Sequence, residues 1–160
     1  MSNILQPGQK APDFFVKDQH GNLIKRTDFS SQWLILYFYP KDNTPGCTTE
    51  AQDFTHHSSE FSKLNAKIVG ASPDTEMSHC KFIDKYNLSI QLLSDRDHQL
   101  AQSYGAWGLK KFMGKEYMGI IRSTFLIDPE GAIAYAWYNV RAKGHAEVVL
   151  KKLRELLSIA

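Results

Sequence analysis

The chain has 160 residues, 42% of them apolar, and a formal net charge of +2. That is the size and apolarity of one ordinary domain with a real core, so a single domain over residues 1–160 is expected. The near-neutral charge leaves no nucleic-acid footprint, since Lys110-Lys111 and Lys151-Lys152 read as solvated faces, and no apolar run is long enough to span a membrane. Residues 1–8 lack a charged segment followed by an apolar stretch, so no secretory signal and a cytoplasmic location are expected. Two cysteines in an unexported chain suggest redox or catalytic work over a structural bridge.

In chain order, residues 12–17 and 23–25 flank turn residues 19–22 and predict an N-terminal β-hairpin. Residues 27–30 form a short turn. The run from Trp33 to Phe38 is the longest apolar stretch, and its shortness predicts a strand buried on both faces. Pro40 ends it. After Cys47, the positions Ala51, Phe54, Ser58, Phe61 and Leu64 or Asn65 recur at helical spacing and predict one helix running to about Leu64. Residues 67–71 predict a second buried strand. Ser72, Pro73, Asp74 and Thr75 supply caps for a helix carrying Met77, Cys80, Ile83 and Tyr86 and ending near Asn87. Residues 91–93 read as a short strand, and 95–104 as a short helix with Leu100 and Ala101 inward. Residues 105–119, broken by glycines, read as a loop holding Trp107 and Phe112. Residues 122–127 predict a strand, Asp128-Pro129-Glu130-Gly131 a tight turn, and Ile133, Tyr135 and Trp137 an antiparallel return strand. Ala146, Val149, Leu150, Leu153, Leu156 and Leu157 form the stripe of a last helix. This order implies an α/β fold with a central mixed sheet flanked by helices.

The chemistry concentrates at Cys47, in the first turn of a helix just beyond a buried strand. That turn offers unpaired backbone N–H groups and the positive end of the helix dipole, both of which favour a thiolate. A fall in thiol pKa from about 8.5 to about 6 would raise the thiolate fraction at pH 7 from about 3% to about 90%. Thr44, in the same turn, places a hydroxyl where it could donate to the sulfur or to a ligand.

Pro40, Thr44 and Cys47 fit the peroxiredoxin pattern of Pro, three residues, Thr, two residues, Cys. The wider run from Phe38 to Ala51 resembles the Q-type subfamily, the bacterioferritin comigratory proteins. The resemblance continues through Leu93-Ser94-Asp95, Tyr104 to Gly108, Phe112 to Lys115 and Arg122 to Asp128, and covers nearly the whole chain. It implies a thioredoxin-like fold and a thiol-dependent peroxidase, with a hydroperoxide as substrate and thioredoxin or another dithiol as reductant. A monomer is the expected state and a dimer the alternative.

A peroxidase needs an attacking thiolate, donors that hold the O–O unit in line, and positive charge at the leaving oxygen. Cys47 is the attacker, Thr44 and the N–H of Gly46 or Cys47 are the donors, and Pro40 fixes the shielding loop. The family's active-site arginine falls on Arg122, and Glu50 could orient it. Many Q-type members carry a second cysteine five residues after the first, where this chain has Gln52. Some carry it on the next helix, which makes Cys80 the candidate resolving thiol; a packed Cys80 with a one-cysteine mechanism is the alternative. A Cys47–Cys80 disulfide needs Cα atoms roughly 4.4–6.8 Å apart, closer than two packed helices at about 8–10 Å usually allow. So the first turn after Gly46, or the turn around His79 and Cys80, is expected to unwind. Peroxide-sensitive relatives carry a C-terminal arm after the last helix. Here the chain stops at Ala160, so ready unwinding and slow over-oxidation are expected.

Rival chemistries fit less well. A Cys-x-x-Cys oxidoreductase would need a cysteine where Glu50 stands. A cysteine hydrolase needs a histidine base, but His56, His57, His79, His98 and His145 stand in no signature and read as surface helix histidines. The pairs His56-His57 and His79-Cys80 diverge by about 100° on a helix and make poor chelates, so neither a metal nor a cofactor is expected.

Overall fold

The computed structural model describes residues 4–159; the first three residues of the stretch read as lacking a signal, and the terminal Ala160, lie outside them. Strands β3 (Trp33–Phe38), β4 (Ala66–Ser72), β5 (Gln91–Ser94), β8 (Ser123–Ile127) and β9 (Ile133–Trp137) form a five-stranded sheet in the order β5-β4-β3-β8-β9. The β3–β4 and β4–β5 pairs are parallel, and the β3–β8 and β8–β9 pairs antiparallel. This is the expected mixed sheet, in a thioredoxin-like arrangement. The period-two alternation of β3 splits its side chains between two cores. Ile35, Tyr37 and Tyr39 pack with α1 (Pro45–His56), α2 (Ser58–Lys63), α3 (Glu76–Tyr86) and α5 (His145–Ile159). Leu34, Leu36 and Phe38 pack with α4 (Gln99–Ser103) and N-terminal residues such as Phe14 and Phe29. Gly70, paired with Tyr37 on one side and Leu92 on the other, makes room for the tyrosine: a Cβ there would lie 2.8 Å from Tyr37 Cζ.

The N-terminal hairpin, β1 (Phe15–Lys17) and β2 (Leu23–Lys25), forms as expected. Its turn is organised by Asp18 Oδ1, which accepts the N–H groups of His20 and Asn22. Gln19 Oε1 takes the N–H of Leu92, so the turn covers the open edge of β5. Residues 26–29 make one 3₁₀ turn.

Three expectations need correction. The helix after Cys47 is broken at His57 into α1 and α2. Residues 105–119 are no loop: β6 (Trp107–Phe112) and β7 (Lys115–Ile120) pair as a hairpin, with Met113 and Gly114 at φ 52° and 80° in the two-residue turn. Leu109, Phe112, Met113, Tyr117 and Met118 all stand exposed on it, so apolar and polar residues do not segregate by face and the alternation signal is absent. In α3 the caps are as expected, Thr75 accepting from the Ser78 N–H and Asn87 closing at φ 52°, but the stripe is not. Positions three apart drift by about 60° per step, so Met77 is 68% exposed while His79 and Phe82 are buried.

Candidate active site

The site lies beyond the carboxyl end of β3, beside the start of its neighbour β8. Thr44 is the N-cap residue of α1, and Pro45, which has no N–H to leave unpaired, opens the helix. Thr44 does not cap with its side chain; its hydroxyl donates instead to the Lys41 carbonyl at 2.8 Å. The expectation that it could donate to the sulfur is thereby corrected: the proton goes to Lys41, and the oxygen's two lone pairs can only accept. With no side-chain cap, the Gly46 and Cys47 N–H groups keep no helical partner and are open to a ligand.

Arg122 immediately precedes β8. Because Phe38 pairs with Ser123, its guanidinium comes to the end of β3 where the Cys47 loop begins. Arg122 Nη2 donates to Cys47 Sγ at 3.3 Å, and Nη1 donates to Glu50 Oε1 at 2.6 Å. A Cβ on Gly46 would stand 3.3 Å from Nη2, so the glycine leaves the arginine its path. Cys47 is 2% exposed and Glu50 is fully buried. Burial pushes the Glu50 carboxyl up to about 7, with Arg122 pulling part of the way back. Burial disfavours the Arg122 charge, but Glu50 and Cys47 more than compensate, and its pKa is raised.

Further groups surround this core. Beneath it lies Tyr37, fully buried, its phenol pushed well above the usual tyrosine range by burial and by Glu50 and Cys47. Among the described residues, the Tyr37 hydroxyl and Glu50 Oε2 are the buried side-chain oxygens without a protein partner. Lys110 reaches in from β6, its Nζ held by the Ile120 carbonyl at 2.8 Å; burial and the Arg122 charge lower its pKa, while Cys47 opposes them.

Two histidines read as surface residues are buried instead. His145 opens α5 against the rings of Phe54 and Trp137, with Nε2 2.9 Å from Thr124 Oγ1; burial, then Arg122, lowers its pKa to about 4. His79 sits on the inward face of α3 against Asp42. Asp42, Asp74 and His79 present ligand atoms within 4.8 Å of one another, the spacing of a metal site. Hydrogen-bond donors and acceptors of the protein already occupy these atoms, so the cluster is a polar network.

The structure thus brings Cys47, Glu50, Gly46 and Arg122 together, with Thr44 at the loop end and Pro40 just after β3. It does not bring Cys80 to them. Both cysteines are free, and the Cys80 thiol donates to the Gln19 carbonyl at 3.1 Å, toward the N-terminal turn. Sequence reasoning missed Tyr37, Asp42, His79, His145 and Lys110. Asp42 lies inside the recognised stretch, and an inward helix position would have flagged His79.

A buried thiol at a helix start, bonded to a guanidinium that a carboxylate holds in place, is the arrangement of a thiol-dependent redox enzyme. Residues 7–136 match the AhpC/TSA family. Peroxiredoxin Bcp of Bacillus subtilis is 49% identical over 152 residues, spanning 95% of this chain and 97% of its own. Peroxiredoxin Bcp of Escherichia coli is 41% identical over 153 residues, spanning 96% and 98%. A cysteine-to-serine form of Xanthomonas campestris peroxiredoxin Q superposes with a TM-score of 0.88 at 39% identity, over 94% of this chain and 99% of that one. A structure of the bacterioferritin comigratory protein of the same organism, described for its alkyl peroxide reduction activity, gives 0.87 at 38% identity, over 94% and 98%. The chain belongs to the AhpC/TSA family, among its Q-type peroxiredoxins.

Proposed function

We propose that this thiol-dependent peroxidase works through Cys47 as the peroxidatic residue. The Cys47 thiolate attacks one oxygen of a hydroperoxide; the O–O bond breaks, the sulfur leaves as a sulfenic acid, and the departing oxygen takes up a proton to become water or an alcohol. Arg122 stabilises the charge on that oxygen, the Gly46 and Cys47 N–H groups donate to the peroxide, and Thr44 Oγ1 accepts from its O–H. Pro40 fixes the shielding loop, and Glu50 holds the guanidinium. Cys80 then resolves the sulfenic acid as a Cys47–Cys80 disulfide, which thioredoxin or a similar dithiol reduces. The substrates are hydrogen peroxide and organic hydroperoxides, and the chain works as one domain, as a monomer in the cytoplasm. Among the described residues no helix is long and apolar enough to cross a membrane.

The observation that carries this reading is the 3.3 Å contact of Arg122 Nη2 with Cys47 Sγ. Cys47→Ser should abolish peroxide consumption with thioredoxin and its reductase, while Cys80→Ser should still oxidise once at Cys47. Undiminished turnover of the Cys47 variant would overturn the reading. A Cys47–Cys80 linked peptide at monomer mass after peroxide treatment supports internal resolution; free Cys80 with turnover intact in Cys80→Ser would make it a one-cysteine enzyme.

A further inference from the structure

The loop that closes over Cys47 is tied to α3 by one buried carboxylate. Asp42 Oδ1 accepts from the Tyr39 hydroxyl at 2.6 Å. Its Oδ2 accepts from Ser78 Oγ at 2.8 Å and lies 2.7 Å from His79 Nδ1. The other ring nitrogen, Nε2, is 2.9 Å from the Leu93 carbonyl. A carbonyl only accepts, so Nε2 carries a proton; the contact between Nδ1 and the carboxylate then requires a second one between them. His79 is 0% exposed, so this hydrogen-bonded pair lies out of water's reach. The Asp42 N–H is also bound, to Asp74 Oδ2, which takes Ser72 Oγ as well. At the far end of α3, Asn43 Oδ1 accepts from the Tyr86 hydroxyl and Lys85 Nζ.

Cys80 follows His79 directly but points away, to the Gln19 carbonyl. To meet Cys47 its sulfur must leave that partner and the early turns of α3 must loosen. Those turns are held by Ser78 and His79, and both hold on to Asp42 in the loop that must open on the Cys47 side. We propose that Asp42 and His79 are positioning residues for the resolving step, locking loop opening and α3 unwinding into one event. The proposal rests on the reading of Cys47 and Cys80 as the reacting pair. Opening either segment alone would leave the partner's buried polar atoms without their hydrogen bonds, which is unfavourable. The state that attacks peroxide and the state that forms the disulfide therefore exclude each other. In the second, the Cys80 sulfur bonds to the Cys47 sulfur and the S–O bond breaks. The hydroxide leaves as water with the Cys80 proton; Cys80 is oxidised and the sulfenic sulfur reduced.

Rapid-quench mass spectrometry on the full chain separates the two steps. Asp42→Asn and His79→Gln should form the disulfide about tenfold to hundredfold faster than the parent and react with peroxide more slowly. Their sulfinic acid yield at a given peroxide dose should fall by a similar factor. Ser78→Ala, which removes one donor alone, should speed disulfide formation about threefold. Opposite movement of the two rates is something a general loss of stability would not produce. The double variant should differ from either single one by less than about twofold. Attack and disulfide rates within about twofold of the parent in all three single variants would overturn the proposal. Absence of any Cys47–Cys80 disulfide in the parent would refute the assignment of Cys80 separately, and amide exchange would then decide. His79→Gln should speed exchange at residues 42–47 as much as at 76–80; acceleration confined to 76–80 would overturn the lock.

Discussion

Burial shifts Glu50 up and His145 down across the same pH window with opposite consequences for stability, and replacing one should uncover the other. Burial lifts the Glu50 carboxyl from 4.5 to about 7 against the pull of Arg122. On raising the pH the unfolded chain gives up this proton first. The stability from Glu50 is therefore full below pH 4.5 and lost as pH rises through about 7. At about 1.36 kcal/mol per pH unit the loss is about 3 kcal/mol. His145 runs the other way. Burial, then Arg122, lowers it from 6.5 to about 4, so its stability is full above pH 6.5 and lost as pH falls through about 4, again by about 3 kcal/mol. In the parent the two nearly cancel. Glu50→Gln keeps the side chain's size and removes its titration. Urea melts of this variant, kept reduced, should gain about 3 kcal/mol relative to the parent between pH 4 and pH 8. His145→Asn should show the reverse tilt. A Glu50→Gln profile parallel to the parent within about 0.5 kcal/mol would refute the claim that burial governs this carboxyl.

Arg122→Met should slow peroxide attack by roughly 10- to 10⁴-fold, the worth of one or two charge-assisted hydrogen bonds at about 1.5–3 kcal/mol each; stopped-flow kinetics at wild-type rate would leave Arg122 a structural role only. Gly70→Ala drives a methyl into Tyr37 Cζ at 2.8 Å and Leu92 Cδ2 at 2.9 Å. It should cost about 1–3 kcal/mol in denaturant melts and disturb the site from below; unchanged stability would mean that the Tyr37 ring has room to move.

The strand, the loop and the thiol at its helix start were legible because each has a local cause. A six-residue apolar run can only be buried, Pro40 and Pro45 punctuate the loop, and the spacing from Cys47 to Phe54 turns one face inward. Arg122 was legible through the resemblance, as the position on which the family's active-site arginine falls. What escaped was decided by contacts distant in sequence. The β6–β7 hairpin carries no alternation because neither face is covered along most of its length. In α3 the true inward face includes a histidine, and Asp42, 37 residues away, together with the Leu93 carbonyl makes that position acceptable. Cys80 was readable as a helix cysteine, but its direction toward Gln19, 61 residues earlier, was not. His145 sits at a helix start like a surface residue, and Thr124, Phe54 and Trp137 enclose it.

The register that sets Phe38 against Ser123 gives the proposed reactive centre a birth order. Cys47 is made early in synthesis, but the guanidinium that touches its sulfur belongs to a residue 75 positions later. It reaches the thiol only once β8 has zipped onto β3. A ribosome-bound chain that has exposed its first hundred residues carries this cysteine without the guanidinium that later contacts it. With Cys47 as the proposed peroxidatic residue, full reactivity toward peroxide requires this strand ladder as well as the local sequence around the thiol. Fragments ending before β8 should react with peroxide more slowly than the full chain, however well their helix forms.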